Sequence, residues 1–165
     1  MAAGKSSVGR QLAEQLSFRF VDSDQEIESR CGADVSWIFD VEGEAGFRRR
    51  ETAVLEELSQ AAKIVIATGG GAILSPQNRA LMAERGIVVY LQAPLEVLVA
   101  RTEKDKKRPL LQQGDRRQIL ADLLDVRGPL YEEVAHITVS TEHCNMRQTL
   151  TDITSQLSPF LASAV

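Results

Sequence analysis

The sequence predicts an α/β fold of three layers, with helices on both faces of a parallel β-sheet, and three observations predict it. Lys63-Ile64-Val65-Ile66-Ala67-Thr68 and Ile87-Val88-Val89-Tyr90-Leu91 are apolar, β-branched runs of the kind that form strands buried on both faces. Segments of helical periodicity separate the strands, as the crossover connections of parallel strands require. Gly4-Lys5-Ser6 runs directly into Val8, Leu12, Ala13 and Leu16, which reads as the end of a phosphate-binding loop feeding a helix.

In chain order, the periodicity predicts a helix over 5–17 and a short strand over 18–22 that leads into Asp22-Ser23-Asp24. A helical insert follows over about 25–60, interrupted at Gly32, Gly43 and Gly46. The first fully buried strand, 63–68, ends at Gly69-Gly70-Gly71. Ser75-Pro76 starts a helix as an N-cap followed by proline at the first position, and Gly86 closes it before the strand over 87–91. Pro94 opens a helix through Arg101. The charge-dense stretch 103–117 has no apolar periodicity and reads as a mobile surface lid. A helix over 118–126 leads to Arg127-Gly128-Pro129-Leu130-Tyr131, helix continues to Ala135, and a last strand over 137–140 precedes a helix over 146–161.

Length and composition set the outer limits. A chain of 165 residues, 44% hydrophobic and 25% charged, suits a single domain over 1–165. A formal net charge of -4 argues against a general nucleic-acid or membrane-surface binder, because both need a basic field. Cys31 and Cys144 are far apart, and with only His136 and His143 available neither a disulfide framework nor a metal-ligand spacing is present. No apolar run approaches the length of a membrane span or a secretory signal, so the expectation is a cytoplasmic protein. Trp37, alone on an amphipathic helix, is expected to pack rather than to contact a ligand.

The chemistry concentrates in the loops after the strands, where parallel sheets gather ligands. At Gly4-Lys5-Ser6 the glycine lets the backbone approach phosphate oxygens, and the free amides of the helix start favour an anion. Lys5 adds a point charge for the β and γ phosphates, and the Ser6 hydroxyl suits a magnesium ion that bridges them. The same tripeptide also starts helices for capping reasons alone. Asp22 and Asp24 serve equally as an N-cap with an acidic first turn, and as carboxylates placed to hold magnesium through water and to position a hydroxyl. Gly69-Gly70-Gly71 reads both as a turn with unusual dihedrals and as a place where a substrate reaches backbone amides.

Taken together, Gly4-Lys5-Ser6, Asp22-Ser23-Asp24, Ile38-Phe39 with Gly43-Glu44 and Phe47-Arg48, Ala67-Thr68-Gly69-Gly70-Gly71, Arg108-Pro109-Leu110-Leu111 and Arg127-Gly128-Pro129-Leu130-Tyr131 resemble the shikimate kinase family, small members of the P-loop kinases, over nearly the whole chain. The resemblance implies ATP as co-substrate, Mg2+ as cofactor, shikimate as acceptor and a monomer. Asp24 then holds the shikimate hydroxyls and takes the proton. Arg48 and Arg127 grip the carboxylate beside the Gly70 amide, with Glu51 orienting Arg48, and Phe39 and Phe47 wall the pocket. Arg108 is the lid arginine that closes on the phosphates, Asp22 the partner of magnesium, and Arg101 a residue near adenine. Gly4, Lys5, Ser6 and Ser7 belong to the nucleotide loop. Glu142-His143-Cys144-Asn145 falls where the family closes over adenine, and it lacks the arginine often found there.

The family pattern also has a glycine and a central strand ahead of Gly4. The expectation is therefore a natural chain that begins upstream, Met1 standing within the loop, since a sheet without its central member would expose unpaired edges. Two other readings stay open: a P-loop kinase for gluconate or a nucleotide, and a noncatalytic relative that kept the fold.

Overall fold

The computed structural model describes residues 3–103, 114–142 and 145–162, which fall into two units: Lys5–Gly86, and the chain from Ile87 onward together with Ala3 and Gly4. Each is built on a pair of parallel strands, in keeping with the α/β expectation.

In the first unit, α1 (Lys5–Leu16) buries Val8, Gly9, Leu12 and Ala13, a stripe at helical spacing that packs on both strands. At Gly9 an added Cβ would lie 2.8 Å from the Phe20 ring, so glycine is what lets the helix sit this close to the sheet. The helix ends at Ser17, whose φ of 56° turns the chain into β1 (Arg19–Asp22). β1 pairs in parallel with β2 (Ile64–Ala67) in the register Arg19 to Ile64 through Asp22 to Ala67. That register brings the Asp22 and Ala67 ends out at the same edge, so the loops after both strands share one end of the sheet.

Asp22 caps α2 (Ser23–Cys31), accepting from the amides of Asp24 and Gln25, and Gly32, at φ 66°, closes it. Asp34 caps α3 (Val35–Leu58) by accepting from the Trp37 amide at 2.7 Å. Gly43, at φ 70° and ψ 177°, kinks α3, as expected. Gly46 does not interrupt it: this glycine is buried within the helix against the Glu42 side chain, so it meets a packing need and not a turn. The core between α2, α3 and β1 is Val21, Ile27, Ile38, Phe47, Val54 and Leu58. Trp37 does not pack as expected. It is 53% exposed, because Ile38, one residue and about 100° further round, takes the buried face. A 3-10 turn at Ala72–Leu74 follows β2, and then α4 (Pro76–Arg85) begins with Ser75 as cap, as expected.

The second unit pairs β3 (Val89–Gln92) in parallel with β4 (Ile137–Ser140). Among the described residues β1 to β4 form two two-stranded sheets, each strand with one partner. Ile64, Val65, Ile66, Val89 and Tyr90 are accordingly half-buried, not fully buried as their apolar runs predict, since a strand with one neighbour keeps an open edge. Two further expectations are corrected in the helices. α5 (Leu95–Thr102) matches, but α6 runs unbroken from Arg116 to Val134. Asp115 caps it through the amides of Arg117 and Gln118, which takes Arg116 and Arg117 out of the expected lid. Arg127-Gly128-Pro129 lies inside α6. Asp125 and Pro129 are both exposed, so water can serve the carbonyl that the proline leaves without a donor. Leu120 of α6 is buried against Ala93 and Leu98, and α7 (Met146–Ala162) packs Leu150, Ile153 and Leu157 inward. Among the described residues no helix is long and apolar enough to cross a membrane.

Candidate active site

Gly4 has φ 84°, a left-handed conformation that glycine adopts without strain, and Lys5 is the first residue of α1. The first amides of α1 have no helical acceptor, which makes this end suited to an anion. Ser6 and Ser7 are exposed in the first turn. The Ser6 hydroxyl donates to Asp22 Oδ2 at 2.5 Å, so the helix start and the end of β1 are held together. These two hard oxygen donors suit magnesium, which keeps several waters and takes few protein ligands. Among the described residues no group of three His, Cys, Asp or Glu could hold a metal by protein side chains.

Asp22 Oδ1 caps α2, and this cap aims the next two residues. Ser23 is fully buried, and its hydroxyl accepts from the Gly69 amide at 3.1 Å, linking the loop after β1 to the loop after β2. Asp24 presents a buried oxygen, Oδ1, that takes no hydrogen bond among the described residues. Burial, and then the charge of Asp22, raise the Asp24 carboxyl above its ordinary range, while Lys5 and Arg48 oppose the rise. Lys5 and Arg48 therefore both lie within electrostatic reach of the same carboxylate.

Arg48 stands one helical turn before Glu51 on α3 and donates to Glu51 Oε2 at 2.7 Å, with Glu44 a weaker partner at 3.2 Å. Burial works against the charge of Arg48, but the bonds to Glu51 and Glu44 outweigh it and raise the guanidinium overall. The guanidinium also lies 5.4 Å from the centre of the Phe47 ring, and Phe47 packs against Phe39 with ring centres 4.7 Å apart and planes tilted by 36°. The glycine triplet closes the group. A Cβ at Gly69 would lie 2.6 Å from Asp24 Oδ1 and 2.8 Å from Glu51 Oε1; one at Gly71 would lie 2.6 Å from Arg48 Cζ. Gly70 thus sits between two glycines whose missing side chains make room for Asp24, Glu51 and Arg48.

Of the residues singled out in the sequence, Lys5, Ser6, Asp22, Asp24, Arg48 and Gly70 are brought together in the first unit. Arg101 and Arg127 belong to the second. Arg101 donates to the Thr141 hydroxyl at 3.1 Å and carbonyl at 2.7 Å, and Arg127 is half-buried on α6. Arg108, most of the expected lid, His143 and Cys144 lie outside the described residues. Sequence reading gave Ser23 no role of its own, since nothing in a serine flanked by two aspartates points to a second loop. It read Gly69-Gly70-Gly71 as a turn or as a place where a substrate reaches backbone amides, and the structure adds that Gly69 and Gly71 make room for Asp24, Glu51 and Arg48.

A lysine and a hydroxyl at the start of a helix, beside carboxylates at the ends of parallel strands and an arginine fixed by a buried glutamate, define a P-loop phosphotransferase. Known proteins narrow the class. The family model described as shikimate kinase matches residues 1–158. The shikimate kinase of Psychrobacter arcticus is 54% identical over 163 residues, 99% of this chain and 88% of that protein, and the one from Vibrio parahaemolyticus is 58% identical over 142 residues, 86% and 83% of the two chains. Among solved structures, the shikimate kinase of Acinetobacter baumannii in complex with shikimate superposes with a TM-score of 0.92 at 51% identity, covering 96% of this chain and 89% of that one. The Aquifex aeolicus shikimate kinase does so with 0.84 at 34% identity, covering 96% and 92%. The chain belongs to the shikimate kinase family.

Proposed function

We propose that this chain transfers the γ-phosphoryl group of ATP to the 3-hydroxyl of shikimate, giving ADP and shikimate 3-phosphate on the route to chorismate and the aromatic amino acids. The observation that carries the reading is the meeting, in one unit, of phosphate-loop Lys5 with the Asp24 carboxylate and the Arg48 guanidinium. A small polyol acid needs an acceptor for its hydroxyls at one end and a planar cation for its carboxylate at the other.

Lys5 and the first amides of α1 hold the β and γ phosphates. Asp24 Oδ1, buried and lacking a donor, accepts from the attacking hydroxyl and orients it. As the hydroxyl oxygen bonds to the γ-phosphorus and the bond to ADP breaks, the proton passes to Asp24, whose raised carboxyl is a better base than an ordinary aspartate. Positioning supplies most of the rate, since phosphoryl transfer passes through a loose transition state. Arg48, fixed by Glu51, holds the carboxylate beside the Gly70 amide, and Arg127 takes the part of a second arm by motif position alone. Ser6 and Asp22 would hold Mg2+, which, when bound, neutralises charge on the β and γ phosphates. Arg108 takes the part of a closing cation and Arg101 that of a neighbour of adenine, both by motif position. The resemblance implies a single-domain monomer, and the net charge of -4 with two widely separated cysteines favours a cytoplasmic enzyme acting on free small molecules.

A coupled assay of ADP release with shikimate, gluconate and a nucleoside monophosphate in parallel tests the proposal. Release that depends on shikimate is expected. Release with gluconate or the nucleotide alone would move the chain to another kinase specificity, and shikimate binding without release would make it a noncatalytic relative.

A further inference from the structure

The glycine loop is held from two sides, and only one of them belongs to the residues considered so far. On one side Ser23 accepts from the Gly69 amide. On the other, the loop runs into the 3-10 turn, with Ala72 N donating to Gly69 O at 3.1 Å and Leu74 N to Gly71 O at 3.0 Å. Carbonyls at the end of so short a turn have few backbone donors. Two consecutive side chains in the first turn of α4 supply them. Asn78 Nδ2 donates to Ala72 O at 3.0 Å, and Arg79 Nη1 donates to Ile73 O at 2.9 Å and to Leu74 O at 3.3 Å. Asn78 is 0% exposed and its own amide is capped by the Ser75 hydroxyl at 3.3 Å. The turn is itself largely buried, Ala72 at 0% and Ile73 at 4% exposed, so its carbonyls need donors, and a buried amide and a half-buried guanidinium supply them and pin the turn to α4.

We infer that Asn78 and Arg79 are positioning residues for the acceptor substrate: by clamping Ala72–Leu74 they fix the Gly69–Gly71 backbone against Arg48 and Asp24. This inference rests on the proposed carboxylate site at Arg48 and Gly70. Their bonds to Ala72, Ile73 and Leu74 all fall on the turn that follows the glycine loop, which puts the clamp at the acceptor end. A loop that drifts by a fraction of an ångström misplaces the Gly70 amide and loosens the packing of Arg48 on Gly71, while the Lys5 and Ser6 end stays as it was.

The experiment compares Arg79→Met, Arg79→Lys and Asn78→Leu with the unaltered chain, measuring KM separately for shikimate and ATP, kcat, shikimate binding by calorimetry without ATP, and thermal midpoint. Arg79→Met is expected to raise KM and Kd for shikimate about tenfold, the worth of one to two lost hydrogen bonds, with KM for ATP changed less than about twofold. Arg79→Lys, which keeps a donor, is expected to recover part of the loss. Asn78→Leu is expected to show the same split with a lower midpoint, and Arg79→Met keeps the test decisive if the leucine variant does not fold. Equal changes in both KM values, or a lower midpoint with unaltered shikimate binding, would reduce the clamp to a structural prop and overturn the inference. An unaltered chain that does not bind shikimate removes the acceptor site and the inference with it; one that binds shikimate no better than folded Arg79→Met removes the inference alone.

Discussion

Asp24 carries the sharpest conflict between stability and chemistry. Its buried Oδ1 has no donor among the described residues, and burial and Asp22 raise its carboxyl in the folded chain above the unfolded value. The fold therefore favours the protonated form. The resulting stability is complete below the ordinary carboxylate range and is lost as pH rises through the raised folded value. At neutral pH the ionised side chain is a net burden. Asp24→Asn is thus expected to raise the thermal midpoint at pH 7 relative to the unaltered chain, with the advantage vanishing toward pH 3. The same substitution should lower kcat about a hundredfold or more, the usual worth of a proton acceptor. Unaltered turnover would remove Asp24 from the chemistry, and an unaltered midpoint would remove the burden assigned to it.

Arg48 and Glu51 form a pair in which the carboxylate is fully buried and the guanidinium 24% exposed. Removing Arg48 takes from the buried Glu51 carboxylate its 2.7 Å ion-pair partner. Arg48→Ala is expected to raise KM for shikimate strongly and to destabilise the chain by about 2–4 kcal/mol in urea titrations, with a Glu51→Leu second change restoring part of that stability. Equal midpoints for the single and double variants would show that Glu51 is not strained by the loss. The Gly69–Gly71 backbone extends the same logic, because each flanking glycine leaves room for a charged side chain and neither has a positive φ.

At the scale of elements, α3 has to do two things that a straight helix cannot: bury Ile38 in its first half, and bring Arg48 and Glu51 to the glycine loop in its second. Gly43 divides the two, in a conformation that only glycine adopts readily. Gly43→Ala is expected to lose about 1–3 kcal/mol of stability by denaturant titration, since the added Cβ meets no neighbour and the penalty is purely one of dihedral strain. Gly32→Asn, at an ordinary left-handed cap, should lose far less, because asparagine tolerates φ 66°. Comparable losses would mean that α3 straightens without harm.

For the molecule as a whole, ligand linkage offers the most direct measurement. A ligand that binds only the folded chain stabilises it by about 2.7 kcal/mol at a hundredfold excess over Kd. Shikimate at that excess should raise the thermal midpoint of the unaltered chain, while Arg48→Ala at the same concentration should respond weakly. An equal response would place the acid somewhere other than Arg48.

Much of this was legible beforehand, because helices and their ends are local phenomena. The Ser75-Pro76 cap, the Gly32 stop and the stripe of α1 follow from neighbours within a turn, and the structure keeps them within a residue or two. Local patterns misled where a distant contact decided: Gly46 looked like a breaker and is packed inside a helix, and Arg127-Gly128-Pro129 looked like a break and is helical throughout. Burial of the strands was overestimated for the same reason, since an apolar run does not say how many neighbours a strand has.

By itself the sequence determined the residue types of the site, a lysine and serine at a helix start, carboxylates after one strand and glycines after another, because motif spacing is written along the chain. Only the tertiary structure decided that the register of β1 with β2 sets those two loops at one edge, that Ser23 ties them together, and that Asp24 is buried enough to be raised. Desolvation and contact between segments some forty residues apart are properties of packing, and no local pattern encodes them.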